Sequence, residues 1–273
     1  MKSRSKLFAF PYGLWIILFT VIPFLLVIYY AFTSKENGRF TLDNLANAAK
    51  YFPVLLKSVY LALIATVICL VIAYPFAYFM SKRSPNTQRV FLMLVMLPMW
   101  MNFLLRTYAW MTLLDDNGLI NTLFVNIGLP RLQLINTSGA VVLGMVYNYL
   151  PFMIMPLYSI MTKIDKSVIE AAQDLGCSSA EVFRKIIIPL SFPGIASGIT
   201  MTFVPAVSTF VISGLLGGSE CFLIGDLIQQ QFLGNEYNLN YGAATSLVLM
   251  IVVLISMGIF NQFDNDEMED TLI

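Results

Sequence analysis

Residues 54–80 read VLLKSVYLALIATVICLVIAYPFAYFM, and the run contains a single charged side chain, that of Lys57. A helix that crosses a bilayer needs about 20 mostly apolar residues, because the hydrocarbon core is ~30 Å thick and a helix rises ~1.5 Å per residue. The run is longer than that requirement. It therefore predicts a membrane-spanning helix.

Five more stretches of the chain have the same apolar character. The composition agrees, since 58% of the residues are hydrophobic and only 12% are charged, whereas a soluble domain carries ~25% charged residues. A large soluble all-α protein would lack the charge to cover its surface. We therefore expect residues 1–273 to form one all-α integral membrane domain with six transmembrane helices. The predicted spans are about 8–32, 54–80, 90–114, 138–161, 192–216 and 241–260.

The N-terminal segment has one alternative interpretation, a cleaved signal peptide, because Lys2, Arg4 and Lys6 resemble a basic leader. An apolar leader core has only 7–15 residues and precedes a small-residue cleavage site. The run from residue 8 to residue 32 is longer, and no clear A-x-A site follows it. We therefore expect the first span to be retained.

Lysine and arginine in the short loops predict the orientation, because these residues are enriched on the cytoplasmic side. Ten of them fall on one side of the membrane and six on the other. We therefore expect a multi-pass protein of the cell (inner or plasma) membrane, with both termini and the loop 162–190 in the cytoplasm. The first group is Lys2, Arg4, Lys6, Lys82, Arg83, Arg89, Lys163, Lys166, Arg184 and Lys185; the second is Lys35, Arg39, Lys50, Lys57, Arg106 and Arg131.

The sequence lacks the residues that several kinds of catalytic and metal-binding sites require. Histidine is absent, which removes Ser-His-Asp and Cys-His catalysis and the commonest metal ligand. Cys69, Cys177 and Cys221 lie far apart, and no GxxxxGK[ST] phosphate loop occurs. We therefore expect no catalytic residue, no metal site and no cofactor on this chain, and a net charge of zero gives no sign of a nucleic-acid partner. If transport uses ATP, another chain must bind it.

The longest predicted cytoplasmic loop, residues 163–189, reads KIDKSVIEAAQDLGCSSAEVFRKIIIP. Ser167 followed three residues later by Glu170 has the spacing of a capping box, which favours a helix start. Gly176 predicts the end of that helix, because glycine adopts the left-handed conformation without steric cost. The pattern therefore predicts a first helix of about two turns.

A second helix is predicted directly afterwards. Ser178 and Glu181 have the same capping-box spacing, and Pro189 marks where the helix must bend or end. The loop is thus expected to contain two short helices at an angle. Ala171 and Ala172 would let another protein surface approach closely. The periodicity is equally compatible with a loop that packs back on its own bundle.

The loop resembles the EAA motif of ABC importer permeases, which reads EAA, three residues, G, nine residues, I-x-L-P. Every fixed position matches except that Ile188 replaces the leucine. The resemblance implies a type I ABC importer permease bundle in which this loop is the coupling helix, docked in a groove of an ATP-hydrolysing subunit. The residues it assigns to that ATPase-coupling contact are Glu170, Ala171, Ala172, Gly176, Ile186 and Pro189.

Other stretches resemble the permeases of spermidine/putrescine importers, and more the first than the second of the two permeases in such systems. They are LRTYAWMTLL at 105–114, GMVYNYLPF at 144–152, GLLGG at 214–218 and IGDLIQ at 224–229. The resemblance covers most of residues 90–250. It implies polyamine import, a second related permease, two copies of an ATP-binding subunit that holds ATP and Mg²⁺, and an extracellular or periplasmic substrate-binding protein. Membrane lipid is the remaining expected partner.

A polyamine carries several ammonium groups, which need acceptors or aromatic faces inside a membrane. An aromatic face over an ammonium group contributes roughly 0.5–2 kcal/mol. The candidate path residues are Trp100, Tyr108, Trp110 and Tyr147, with Glu220 and Asp226 as the favoured carboxylates among the outer acids Asp115, Asp116, Glu220, Asp226 and Glu236. An interfacial aromatic belt and ordinary solvated loop acids remain alternative interpretations.

Arg106 would repel a polyamine, so we expect a structural role: it snorkels near the outer interface or pairs with Asp115 or Asp116. An ABC importer permease for another small solute (an amino acid, phosphate, sulfate or ferric ion) is the alternative function. An anionic cargo would favour basic residues along the path, and Arg106 is the only candidate. An ion-coupled carrier would work without an ATPase, and the internal repeat that such carriers often show is not evident in the sequence.

Overall fold

The computed structural model describes residues 11–35, 37–234 and 237–270, and of residues 261–270 it describes the backbone alone. Residues 8–10 of the first predicted span, the basic side chains Lys2, Arg4 and Lys6, and the predicted outer acid Glu236 lie outside these residues. The helices are α1 Pro11–Ala31, α2 Asp43–Ala49, α3 Phe52–Ser81, α4 Pro85–Trp100, α5 Phe103–Leu114, α6 Leu119–Asn126, α7 Ser138–Met161, α8 Lys166–Asp174, α9 Ser179–Leu190, α10 Phe192–Val207, α11 Ile224–Leu233 and α12 Leu239–Asp270.

Four of these helices are long and apolar enough to cross a membrane: α1, α3, α7 and the part Leu239–Phe260 of α12. Two bent helix pairs raise the number of spans to six if each pair crosses once. One pair joins α4 to α5 and α6 at 87°, and the other joins α9 to α10 at 59°. The predicted all-α integral membrane fold is confirmed.

The third predicted span, 90–114, is a broken helix and not a single straight one. Helix α4 ends at Trp100, and α5 begins at Phe103 after the extended residues Met101 and Asn102. The Asn102 side chain caps the new helix, since its Oδ1 accepts hydrogen bonds from Leu104 N (2.8 Å) and Leu105 N (3.4 Å). Pro98 also removes one donor from the last turn of α4. The local hydrogen bonds therefore permit a bend inside a continuous apolar run.

The fifth predicted span, 192–216, is likewise interrupted. Helix α10 ends at Val207, just after Pro205, and the Ser208 Oγ donates to the Val204 carbonyl at 3.1 Å. A π-helical turn, Ser213–Gly217, follows the break. We call it the π-turn below. It ends at Gly218, whose φ of +54° is in the region that favours glycine.

The centre of the bundle is α7, which packs between α3 and α10. Small residues allow this, because Ala62, Ala65, Ala73 and Ala77 of α3 are fully buried. A Cβ atom added at Gly144 would lie 2.6 Å from Leu216 Cδ1, so the π-turn also packs closely on α7. Small residues at helix contacts are typical of membrane bundles. Helix α1 packs against α12 at the edge.

Candidate functional site

The loop 162–190 begins with a cap that the sequence did not predict. The Asp165 Oδ1 accepts a hydrogen bond from Ser167 N at 3.0 Å, and α8 starts at Lys166. The predicted capping box of Ser167 and Glu170 is therefore wrong, because Ser167 already lies inside the first turn. The hydrogen bond from Ser167 lowers the pKa of the Asp165 carboxyl.

The rest of the loop has the predicted two-helix form. Gly176 ends the first helix with a φ of +89°. The second capping box is confirmed: Ser178 N donates to Glu181 Oε2 at 3.0 Å, and Glu181 N donates to Ser178 Oγ at 3.3 Å. Helix α9 then runs through a π-helical stretch, Phe183–Ile187, and passes Pro189 by one residue before the 59° bend into α10. The loop is therefore a bent pair of short helices with fixed ends.

One face of this loop packs against the chain itself. Ala172, with 9% of its surface exposed, forms a small apolar cluster with Val182 and Ile187, and Ile169 and Tyr78 pack against it. Tyr78 belongs to α3, so the loop rests on the bundle. The alternative in which the loop packs back on its own bundle is therefore correct for this face.

The remaining surface of α8 is open. Leu175 is 87% exposed, and Val168 and Ala171 are exposed beside it. Residues 168, 171 and 175 are three or four positions apart and lie along one side of α8, next to the inner side on which Ile169 and Ala172 pack. We call the exposed surface made by Val168, Glu170, Ala171 and Leu175 the α8 face. An exposed apolar patch of this kind is typical of a contact surface.

The six predicted coupling residues therefore separate into two groups. Ala172 packs toward the interior, about 100° around the helix from Ala171, and its predicted place in a partner contact stays a prediction. Ile186 is half-buried beside the same inner cluster. The residues that remain exposed are Glu170, Ala171, Gly176 and Pro189.

The four predicted aromatic path residues also separate. The rings of Trp110 on α5 and Tyr147 on α7 meet edge to face, with their centroids 5.4 Å apart. Trp100 is 79% exposed at the end of α4, and Tyr108 is exposed on α5. The structure thus brings Trp110 and Tyr147 together and leaves Trp100 and Tyr108 on the outside, where the interfacial-belt interpretation suits them.

The two favoured carboxylates differ in environment. Glu220 is exposed, and its carbonyl accepts a hydrogen bond from Lys57 Nζ at 2.8 Å. Asp226 is only 8% exposed, and its Oδ2 accepts from Leu223 N at 2.9 Å, which caps α11. Burial raises the pKa of the Asp226 carboxyl, although the Leu223 N–H and the nearby Ser213 hydroxyl act in the opposite direction. The carboxyl group of Asp226 is therefore buried, and it also caps the start of α11.

Arg106 does not have the predicted partners. It is only 8% exposed, and neither Nε nor Nη1 has a hydrogen-bond partner among the described residues. Within those residues the only ion pair joins Lys185 and Glu181, so pairing with Asp115 or Asp116 is wrong, and so is snorkelling. The bend before α5 turns this residue toward the bundle, a direction that hydropathy does not report.

Two further buried polar atoms were not among the predicted site residues. The Asn148 Oδ1 on α7 and the Thr202 Oγ1 on α10 have no hydrogen-bond partner among the described residues. Buried polar atoms of native proteins are almost always paired. Asn148 lies in the 144–152 stretch of the resemblance, which was the only sequence signal that pointed toward it.

The Glu181 cap gives a testable pH dependence. Hydrogen bonds from Ser178 and the ion pair with Lys185 lower the pKa of Glu181 from 4.5 to about 2. Because the folded pKa is the lower one, the carboxylate stabilises the start of α9 above pH 4.5, and this stabilisation is lost as the pH falls from 4.5 toward 2. Glu181→Gln should remove the pH dependence. The protection of the amides of residues 178–182 against hydrogen exchange, measured as a function of pH in the parent and the variant, checks this. A pH dependence of that protection that is the same in both proteins contradicts it.

Comparisons with known proteins agree with this architecture. Residues 73–264 match the family "binding-protein-dependent transport system inner membrane component". The chain is 41% identical over 255 residues to the spermidine/putrescine transport system permease protein PotB of Salmonella typhimurium, covering 90% of this chain and 88% of that one. It is also 41% identical over 248 residues to PotB of Escherichia coli (strain K12), covering 88% of this chain and 90% of that one.

A solved structure shares the fold. One chain of a bacterial ABC transporter that imports the acidic polysaccharide alginate superposes with a TM-score of 0.79 over 96% of both chains, at 16% identity. At that identity the likeness establishes the fold alone, that of a type I ABC importer permease. The resemblance drawn from the 162–190 loop and residues 90–250 is confirmed. This multi-pass membrane protein belongs to the family of binding-protein-dependent transport system inner membrane components.

Proposed function

We propose that this chain is the permease subunit of an ATP-driven importer that carries spermidine and putrescine into the cytoplasm. The observation that carries the proposal is the 41% identity, over 90% of the chain, to permeases named for spermidine/putrescine transport. The chain itself catalyses no covalent step in this proposal. Its part is to hold the path and to transmit motion from the hydrolysing subunit.

The α8 face supports the proposed coupling. Glu170, Ala171 and Leu175 project from a helix whose inner side is fixed to α3. A push on that face would pass through the inner cluster to α3 and through the 59° bend to α10. Two copies of an ATP-binding subunit, which hold ATP and Mg²⁺, would make this contact on this chain and on a second, related permease. In this arrangement both termini would lie in the cytoplasm.

Aromatic and acidic side chains support the proposed path for the polyamine. The edge-to-face pair of Trp110 and Tyr147 joins α5 to α7, and a cation over such rings gains ~0.5–2 kcal/mol. Glu220 is an exposed carboxylate at the end of the bundle away from the 162–190 loop. A substrate-binding protein outside the membrane would deliver the polyamine at that end.

A permease for another solute is the second candidate. An anionic cargo such as phosphate or sulfate would need accessible cationic donors along the path, and Arg106 is nine-tenths buried. An amino acid or a ferric ion is less easily separated from a polyamine by charge. The identity to permeases named for spermidine/putrescine favours the polyamine.

Stimulation of ATP hydrolysis tests the cargo. The complete complex in liposomes, supplied with its binding protein, is offered spermidine, putrescine, phosphate, sulfate, an amino acid or ferric ion in turn. We expect spermidine or putrescine to raise the hydrolysis rate and the other solutes to leave it at the basal level. Stimulation by another solute, with none by either polyamine, would reject the cargo and retain the transporter class.

A further inference from the structure

The guanidinium of Arg106 is a buried charge without a counter-charge among the residues that the structure describes. Its Nε and Nη1 atoms are inaccessible and unpartnered within the described residues, and its Cζ lies 6.0 Å from the centre of the Phe103 ring. An uncompensated charge in a membrane bundle costs several kcal/mol. A partner carboxylate in another conformation of the protein would remove that cost.

Asp226 is the matching group. It and Arg106 are the only charged side chains among the described residues that are buried to this degree, each with 8% exposed. The Oδ2 of Asp226 accepts from Leu223 N. The Oδ1 lies 3.7 Å from the position that a Cβ atom on Gly214 would take. One carboxylate oxygen is thus engaged by the helix cap, and the other lies against the π-turn, with no arginine or lysine of the described part of the chain paired to it.

The π-turn is the element that both charges share. Helix α5, which carries Arg106, packs against Ser213–Gly217, and the Asp226 carboxylate lies beside Gly214 and Ser213 of that turn. The break after Val207 precedes the turn, and Gly218 ends it. π-helical turns often mark functional sites, and a segment bounded by a break and a glycine is suited to move as a unit.

The position of the π-turn fits a gate. A Cβ atom on Gly217 would lie 2.7 Å from Val141 Cγ2, one turn after the start of α7, whereas the 162–190 loop follows the other end of the same helix. The α7 helix, Ser138–Met161, is ~35 Å long at 1.5 Å per residue. The two buried charges therefore lie at the end of the bundle away from the α8 face.

We infer that Arg106 and Asp226 form an ion pair when the π-turn shifts during the transport cycle, and that this pair closes the end of the pathway away from the α8 face. The pair is absent in the conformation described here, in which each charge is buried alone. An Arg–carboxylate pair is often bidentate and well defined in geometry, so it would define one closed state. The inference rests on the proposed ATP-driven cycle but not on the identity of the cargo.

A double-mutant cycle on the complete complex tests the pair. The variants are Arg106→Met, Asp226→Asn and the double variant; asparagine keeps an oxygen for the Leu223 N–H, so the cap of α11 remains. Each single variant leaves one charge uncompensated in the closed state, and we expect its ATP hydrolysis rate in liposomes to fall about 10-fold, with the double variant recovering to within about 3-fold of the parent. Losses that multiply in the double variant would overturn the inference.

Two control experiments distinguish the effect of losing the Arg106 charge from the effect of changing its packing. Arg131→Gln, which changes an exposed arginine bonded to Asn117, should combine additively with Asp226→Asn. Arg106→Lys keeps the charge and should hydrolyse ATP faster than Arg106→Met, whereas equal or lower activity of the lysine variant would also overturn the pair. Size-exclusion chromatography confirms assembly of each complex. Hydrolysis is measured without reference to cargo, so an error in the polyamine assignment would show as absent uptake in every variant while the coupling result stands.

Discussion

Replacing Glu170 with arginine is expected to reduce ATP-driven uptake by about 30-fold or more and to leave the complex in the membrane. Glu170 lies on the exposed α8 face and makes no ion pair among the described residues, so the fold does not depend on it. Reversing a charge inside a docked contact costs ~2 kcal/mol or more, which is a factor of about 30. Uptake of radiolabelled spermidine and the rate of ATP hydrolysis are measured on the same vesicles.

The matched control is Arg131→Glu, a charge reversal of the same size at an exposed residue beyond α6, outside the 162–190 loop. We expect it to retain uptake close to that of the parent protein. If Glu170→Arg also retained uptake, the α8 face would not be the coupling surface. If it removed the protein from the membrane, Glu170 would have a structural role that its exposure does not indicate.

Replacing Gly225 with alanine is expected to destabilise the folded protein by ~1–3 kcal/mol, the usual cost of overpacking. A Cβ atom on Gly225 would collide with the Thr209 carbonyl oxygen and lie 2.8 Å from the Ser208 carbonyl oxygen. Both are backbone atoms of the break after α10, so they cannot move away as a flexible side chain could. The thermal midpoint of the detergent-solubilised protein, followed by size-exclusion fluorescence, should fall by several degrees.

Gly139→Ala provides the comparison, because the nearest atom to its added Cβ would be Thr137 Oγ1 at 3.7 Å, an ordinary contact. That variant should keep or slightly raise the midpoint, since alanine restricts the unfolded chain. Equal midpoints for the two variants would show that α11 does not sit against the break as described.

Hydropathy predicts where the chain meets lipid, but not how it turns there. The 138–161 run is the single helix Ser138–Met161, although it contains Pro151 and Pro156. The 90–114 and 192–216 runs are just as apolar and yet break at Met101–Asn102 and after Val207. The Asn102 cap lies at the first break, and Pro98 and Pro205 lie near the helix ends. A window of mean hydropathy averages such local features away, and proline alone does not predict a break, since α3 and α7 continue through theirs.

At the candidate site, too, the sequence pattern predicts local structure better than it predicts which way a side chain faces. The Ser178–Glu181 cap follows the capping-box motif in the sequence, and the same motif at Ser167 and Glu170 does not form a cap because Asp165 takes that position. The Asp165 cap could not be chosen over Ser167, since either residue type suits the position. Ala171 and Ala172 are neighbours in the motif but lie about 100° apart around α8, so that Ala171 is exposed and Ala172 is buried. The burial of Arg106 depends on the bend before α5, so only the folded chain reveals it.

The most direct test of the proposed function is uptake of radiolabelled spermidine into liposomes that contain the complete complex, with ATP and its binding protein, compared with liposomes that lack the ATP-binding subunits. We expect accumulation that requires ATP and the ATP-binding subunits. Accumulation that persists without those subunits would contradict the ATP-driven mechanism, and no accumulation of spermidine or putrescine by a complex that hydrolyses ATP would contradict the cargo.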